Sequence, residues 1–460
     1  MKKHKGWSYA PYKPLFIDVG DIYICRVVPD KEVIHLEWLD LGEECSVFYR
    51  VRGEGEYSQA GRTEKCFFDI DGLEIETDYE FYVESSGGKR SCTRLARTGE
   101  SVGIVVNYLH PEDEVYSFSG KYLCSPSLLR HPDGYLLASM DVYAGMYPQN
   151  LTLIFRSDDD GESWHYVSEF FPCFWGKMFM HGGALYMLAV STEYGDLLIG
   201  RSDDGGKSFG EPVVLLRGGG GKNREPGVHK NPQPVVEFSG RIWNTLEWGS
   251  WGRKYHAAMV MSAPADSDLL DPESWSFSEP VKYDPNWKGV PAGESAGNIE
   301  GSLCVIDGEL YNVMRYSMDK LERKYGLVVS YRVNTSDPEA PLEYAGCIEF
   351  PCNNSKFEIK YDAVSRKYYS VATRITDGEK IKARNLLSLM VSDDCRNWRV
   401  LCDLIDRRDC DHALVGFQYV DFEIEGDDNI YLCRTAINGA HTYHDSNYST
   451  FHRIKDFRKL

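Results

Sequence analysis

The chain has 460 residues, long enough for two or three folding units, and 42% hydrophobic with 26% charged residues is the composition of a globular protein rather than a disordered chain or a coiled coil. With 51 Lys and Arg against 70 Asp and Glu the net charge is −19, which repels nucleic-acid phosphates and anionic membranes, and no basic stripe offsets it. No window approaches the ~20 apolar residues of a membrane-spanning helix, and the basic start, residues 1–16, lacks the apolar run of a signal peptide. A cytoplasmic chain is therefore expected, with no nucleic-acid or membrane partner. The 13 cysteines are scattered without a Cys-x-x-Cys pair, the pattern of buried free thiols rather than of a disulfide frame or zinc site, and neither metal nor cofactor is expected.

Short apolar runs broken by Gly, Asp and Asn recur along the chain and helical spacing is scarce, so the fold class is all-β. Strand-like runs at 33–40, 46–53, 65–70, 79–85 and 91–99 make a first unit over residues 1–100. Trp38 on an early strand, Tyr79 near a sandwich corner and the closing Ala-Arg-Thr-Gly make this unit resemble a fibronectin type III domain, which implies a small β-sandwich serving as a spacer or docking module.

From about residue 105 to 460 the period lengthens. Runs at 135–141, 185–192, 242–248, 310–316, 368–374 and 430–436 each follow a turn and an earlier apolar strand. They end near Asp141, Thr192, Glu247, Arg315, Arg374 and Arg434, in steps of 51, 55, 68, 59 and 60 residues. A unit of about 60 residues cannot bury its own sheet, so six of them predict a six-bladed β-propeller around an axial channel.

Residues 157–164 read Ser-Asp-Asp-Asp-Gly-Glu-Ser-Trp, a full S-x-D-x-G-x-x-W hairpin motif; 202–209 repeat it with Phe209 for Trp, and 392–398 hold a shortened copy without Gly. The Asp accepts backbone N–H groups, the Gly takes positive φ and the ring packs beneath the turn. With this Asp-box motif the chain resembles the sialidase-like superfamily of propeller enzymes, over residues 105 to 460. Residues 125–141 look like that family's opening strand pair and 300–315 like its central blade, and the C-terminal segment resembles that of bacterial sialidase-like proteins. The resemblance implies glycoside hydrolysis by a tyrosine that a glutamate activates, beside a carboxylate-binding arginine triad. Arg315 matches that triad, whereas Cys124 and Ser125 stand where its first arginine is expected and Cys304 where the glutamate is.

Residues at corresponding ends of propeller strands converge on the channel mouth. The run ends would therefore set Asp141 and Glu247 against Arg315, Arg374 and Arg434, and three guanidinium groups would clamp the carboxylate or sulfate of an anionic sugar. Glu300 and Glu247, the latter among Trp243, Trp248 and Trp251, supply the paired carboxylates of a glycosidase, with Asp141 assisting. Of the histidines, His229 follows the Gly-rich stretch 217–227, read as a mobile loop over the mouth, and is a further catalytic candidate, while His181 and His444 join Trp248 as substrate contacts. The expected activity is removal of a terminal sialic or uronic acid type sugar from oligosaccharides. A lyase acting on a uronate through His229, and a non-catalytic glycan-binding propeller, are the alternatives; the unlike residues at the run ends favour one asymmetric catalytic pocket.

Overall fold

The structure, a computed structural model, describes residues 19–219, 225–318 and 320–460 and the backbone of 2–3 and 16–17. Three single-turn 3-10 segments are the helical pieces among the described residues, and the rest of the regular structure is strand. Six antiparallel sheets follow one another from residue 122 onward. Their innermost strands are Tyr122–Arg130, Phe174–His181, Gly227–His229, Asn298–Ile306, Lys360–Asp362 and Gly416–Glu425. We call these sheets blades 1 to 6. The last is completed by Ile104–Tyr108, which pairs with Tyr448–Ile454 and forms its outermost strand.

The recurring apolar runs are the second strands of the blades, not the innermost ones. In Leu136–Tyr143, Ala184–Val190 and Asp428–Ala436 nearly every side chain is buried, because each strand is hydrogen-bonded on both edges and covered by neighbouring blades on both faces. Between blades 1 and 6, Leu136, Leu153, Phe155, Trp164, Leu432 and Phe451 share one apolar core.

The motif turns join the third and fourth strands of blades 1, 2 and 5. In the first, the Ser157 hydroxyl accepts the Gly161 N–H at 2.8 Å and Asp159 accepts the Ser163 N–H at 2.9 Å. Gly161 has φ 94°, and a Cβ there would lie 2.1 Å from the Phe451 ring, so only Gly fits. Trp164 is wholly buried, its indole N–H bonded to the Gly161 carbonyl at 3.1 Å. The 202–209 turn repeats the Ser and Asp bonds, with Phe209 as its ring, and in the 392–398 turn Cys395 at φ 57° stands in the place of Gly.

Ahead of the propeller, a three-stranded and a four-stranded sheet face each other over Trp38, Val47, Ile70, Phe81 and Val83. The Tyr79 hydroxyl accepts the Glu74 N–H at 2.8 Å, as a corner tyrosine does. This sandwich is fastened to the propeller by buried polar bonds: Arg94 to Asp113 at 2.6 Å, Arg26 to the Val106 carbonyl at 2.7 Å, and Tyr23 to Glu169.

Candidate active site

One end of the axial channel opens into a pocket of about 330 Å³, at the small end of ligand-site volumes. Its walls come from an irregularity that four innermost strands share. Each slips register after its first residues: between Cys124 and Ser127, Phe174 and Lys177, Ile299 and Ser302, and Gln418 and Asp421. In each bulge one non-Gly residue takes positive φ: Ser125 (52°), Trp175 (52°), Glu300 (58°) and Tyr419 (55°). A bulge re-aims a side chain that the pleat would otherwise alternate, and all four residues line the pocket. Such backbone costs about 1–3 kcal/mol per residue and persists only where its surroundings enforce it. Here buried carboxyls do so: Asp141 accepts the Trp175 N–H at 2.7 Å and Glu247 accepts the Glu300 N–H at 2.8 Å.

Blades 4, 5 and 6 contribute Arg315, Arg384 and Arg434 to one side of the pocket. Arg315 is ion-paired with Glu300, Nε to Oε2 at 2.5 Å, and its Nη2 donates to the Tyr419 hydroxyl at 3.4 Å. The Arg384 and Arg434 guanidinium carbons lie 5.5 and 5.1 Å from the Tyr419 ring centre. Three cations thus surround one phenol, with Glu300 as the carboxylate paired with Arg315. Burial first, and the fields of Arg315 and Arg434 besides, pull Arg384 below its ordinary proton affinity.

The facing wall, from blades 2 and 3, is aromatic and acidic: Trp175, Trp251, His229 and Glu193. Burial pushes the Glu193 carboxyl up to about 7, only partly offset by a hydrogen bond from Gln149 at 3.2 Å. His229 stacks edge-on against Trp175, ring centres 4.5 Å apart, and its Nδ1 lies 2.6 Å from Glu247 Oε2. Burial lowers the imidazole to about 4 and, with the repulsion of Glu300, raises Glu247 well above the carboxylate range.

Of the sequence candidates, the pocket brings together Glu300, Arg315, Arg434, His229 and His444. Others fall elsewhere. Asp141 and Glu247 are buried beneath the pocket floor, because run ends lie on second strands, where they brace the neighbouring blade's bulge instead of reaching the opening. Arg374 faces outward and forks onto Asp403 at 2.9 Å; its expected place is taken by Arg384, ahead of the next strand. Trp248 packs in the core between blades 2 and 3, and His181, on the hairpin at the opposite end of its blade, bonds the Ala265 carbonyl at 2.7 Å. His229 belongs to a strand, not to a covering loop; residues 220–224 of the Gly-rich stretch lie outside the described residues. Cys304 is on the same strand as Glu300 but remote from the pocket, its sulfur 3.7 Å from that of Cys395. Arg384, Tyr419 and Glu193 escaped the sequence reading. A usable signal existed: Ser125, Trp175 and Glu300 each precede Pro or Gly within an apolar run, a breaker that marks a bulge.

No protein-family model matches the chain, and no curated protein does. Among solved structures it is similar to an alpha-L-arabinanase of Penicillium chrysogenum complexed with arabinobiose, at 14% identity over 78% of this chain and 98% of that one, TM-score 0.51. It is also similar to a Hadza microbial sialidase, at 14% identity over 96% of this chain and 97% of that one, TM-score 0.50, an alignment long enough to take in the N-terminal sandwich. An alpha-L-arabinofuranosidase of Fusarium graminearum aligns at 12% identity over 78% and 98%, TM-score 0.51. What is shared at these identities is the fold, the nearly all-β propeller on which these glycosidases are built.

Proposed function

We propose that the chain is a retaining exo-glycosidase that releases a terminal sugar acid, of the sialic or uronic type, from an oligosaccharide. The observation that carries this reading is the set of three arginines around Tyr419 with Glu300 on the same guanidinium as the phenol. A sugar carboxylate fits between the arginine forks, which holds the anomeric carbon against the tyrosine oxygen. In the first step Tyr419 Oη bonds to that carbon and its proton passes to Glu300, while the bond to the leaving oxygen breaks and that oxygen takes the proton of Glu193. Glu193, now ionised, deprotonates the water that displaces the tyrosine, and Glu300 returns the proton to Tyr419. A pocket of about 330 Å³ admits one sugar ring, which favours exo-action on short chains.

The test is incubation with sialylated, uronate-bearing and sulfated oligosaccharides, following released reducing sugar and the ultraviolet absorbance of an unsaturated uronate. Release of a saturated sugar acid that Tyr419→Phe abolishes supports the reading. New absorbance would assign the pocket to β-elimination instead, and absence of turnover with retained ligand binding would make it a lectin.

A further inference from the structure

Glu247 touches two parts of the site at once. Its Oε1 accepts the Glu300 N–H at 2.8 Å, and its Oε2 lies 2.6 Å from His229 Nδ1. Both side chains are almost completely removed from solvent, with 1% of Glu247 and 3% of His229 exposed. With Nδ1 turned to the floor, the opposite ring nitrogen, Nε2, is turned to the pocket that His229 lines, and it makes no hydrogen bond among the described residues.

We propose that Glu247 and His229 hold one shared proton between them, so that His229 offers Nε2–H to the bound sugar as a fixed donor, and that Glu247 is the positioning residue for both this donor and the Glu300 backbone. The inference rests on the reading of the pocket as a sugar site, and it adds a specificity contact to that reading. A buried carboxylate beside a neutral imidazole would place a second negative charge next to the Glu300 carboxylate. Placing a proton between Oε2 and Nδ1 removes that charge. Whichever of the two atoms holds it, the ring's other proton stays on Nε2. The groups facing the dyad are Glu300, whose charge raises Glu247, Arg315 and Lys230, which stabilise its anion, and His256, whose ring centre is 5.1 Å from that of His229. His256 is itself neutral, its Nδ1–H on the Ala296 carbonyl at 3.3 Å and its Nε2 accepting the Tyr194 hydroxyl at 2.9 Å. The arrangement makes His229 a donor toward a sugar hydroxyl or carboxylate at neutral pH, and denies it the role of a proton-abstracting base.

When the shared proton leaves at alkaline pH, Nδ1–H must point to the carboxylate and Nε2 becomes an acceptor. Glu247→Gln cannot make that change: its amide N–H₂ takes the place of Oε2 and donates to Nδ1, its oxygen still accepts the Glu300 N–H, and Nε2–H is locked. The wild-type KM for a sugar-acid glycoside is therefore expected to climb about tenfold per pH unit above the dyad's transition, while the KM of Glu247→Gln, whatever its value at neutral pH, should not change with pH over that range. Independently of activity, imidazole ¹⁵N spectra of the unliganded protein at pH 7, with the His229 signals assigned by their loss in His229→Asn, should place a protonated, pyrrole-type nitrogen at Nε2. A pyridine-type Nε2 at pH 7, or the same alkaline rise of KM in Glu247→Gln as in wild type, overturns the proposal. Failure of the wild type to cleave any sugar-acid glycoside would remove the hydrolytic reading, and the spectra would still decide the proton's place.

Discussion

Replacing Glu193 by Gln removes a proton donor and a buried charge in one step, and the two losses have opposite signs. In the wild type burial lifts the carboxyl from its ordinary 4.5 to about 7. Below the ordinary range the group is protonated in both folded and unfolded chains and costs nothing. As pH rises through the interval to about 7, the unfolded chain releases the proton and the folded one keeps it, so stability falls. Above that interval the penalty is complete, about 3 kcal/mol. The neutral amide of Glu193→Gln carries no such penalty. The variant should therefore melt with the wild type at pH 4 and a few degrees above it at pH 8.5, as differential scanning calorimetry will measure. Catalysis should move the other way. Loss of a general acid lowers kcat by roughly 10²–10⁴ for a sugar leaving group and far less for a nitrophenyl glycoside, whose departing oxygen needs no proton. The alkaline fall of kcat near pH 7 should vanish as well. A Glu193→Gln enzyme that cleaves both substrate kinds at wild-type rates, or whose stability tracks the wild type at every pH, would refute the assignment.

Arg384→Ala should raise KM for a sugar-acid glycoside by about 10 to 100-fold, the value of the charged hydrogen bonds it removes, whereas Arg374→Ala, which breaks only the outward pair with Asp403, should leave KM unchanged and cost under about 1 kcal/mol. Trp164→Ala opens a wholly buried site beneath the blade 1 turn and should lower unfolding free energy by about 3–5 kcal/mol in urea. Thiol titration in denaturant should count all 13 cysteines with or without reductant, as expected of cysteines that are all free.

The sequence announces the all-β class and the propeller period because the second strands are buried on both faces and so appear as largely apolar runs. The two good hairpin turns are equally visible, since Asp, Gly and a ring at fixed spacing have one structural use. The site is harder to see for a geometric reason. Its wall residues owe their direction to register slips: Tyr419 stands in Phe-Gln-Tyr-Val-Asp-Phe, where the alternation slips at Tyr-Val without a Pro or Gly to mark a bulge, and the structure shows the slip as a re-aimed Tyr419. Run ends mark where a strand stops, not how deep it lies in the blade. Arg315 and Arg434 reach the opening with long side chains, while Asp141 and Glu247 at comparable places are too short and remain below. Glu193 follows a run end by one residue, in a turn where no spacing rule distinguishes a catalytic carboxyl from a solvated one.

The outer edge of blade 6 belongs to Ile104–Tyr108, a stretch that precedes every other propeller strand in the chain. During synthesis this segment leaves the ribosome first and finds its neighbour, Tyr448–Ile454, almost last, with more than three hundred residues between them. Until then the strand has a bare edge and the growing ring is open. Val105, Tyr108 and Tyr448 also pack into the sandwich core, so the closing strand pair and the sandwich share one apolar core. The two ends of the propeller thus meet against the sandwich, and a substitution in that core loosens the ring closure and the sandwich together.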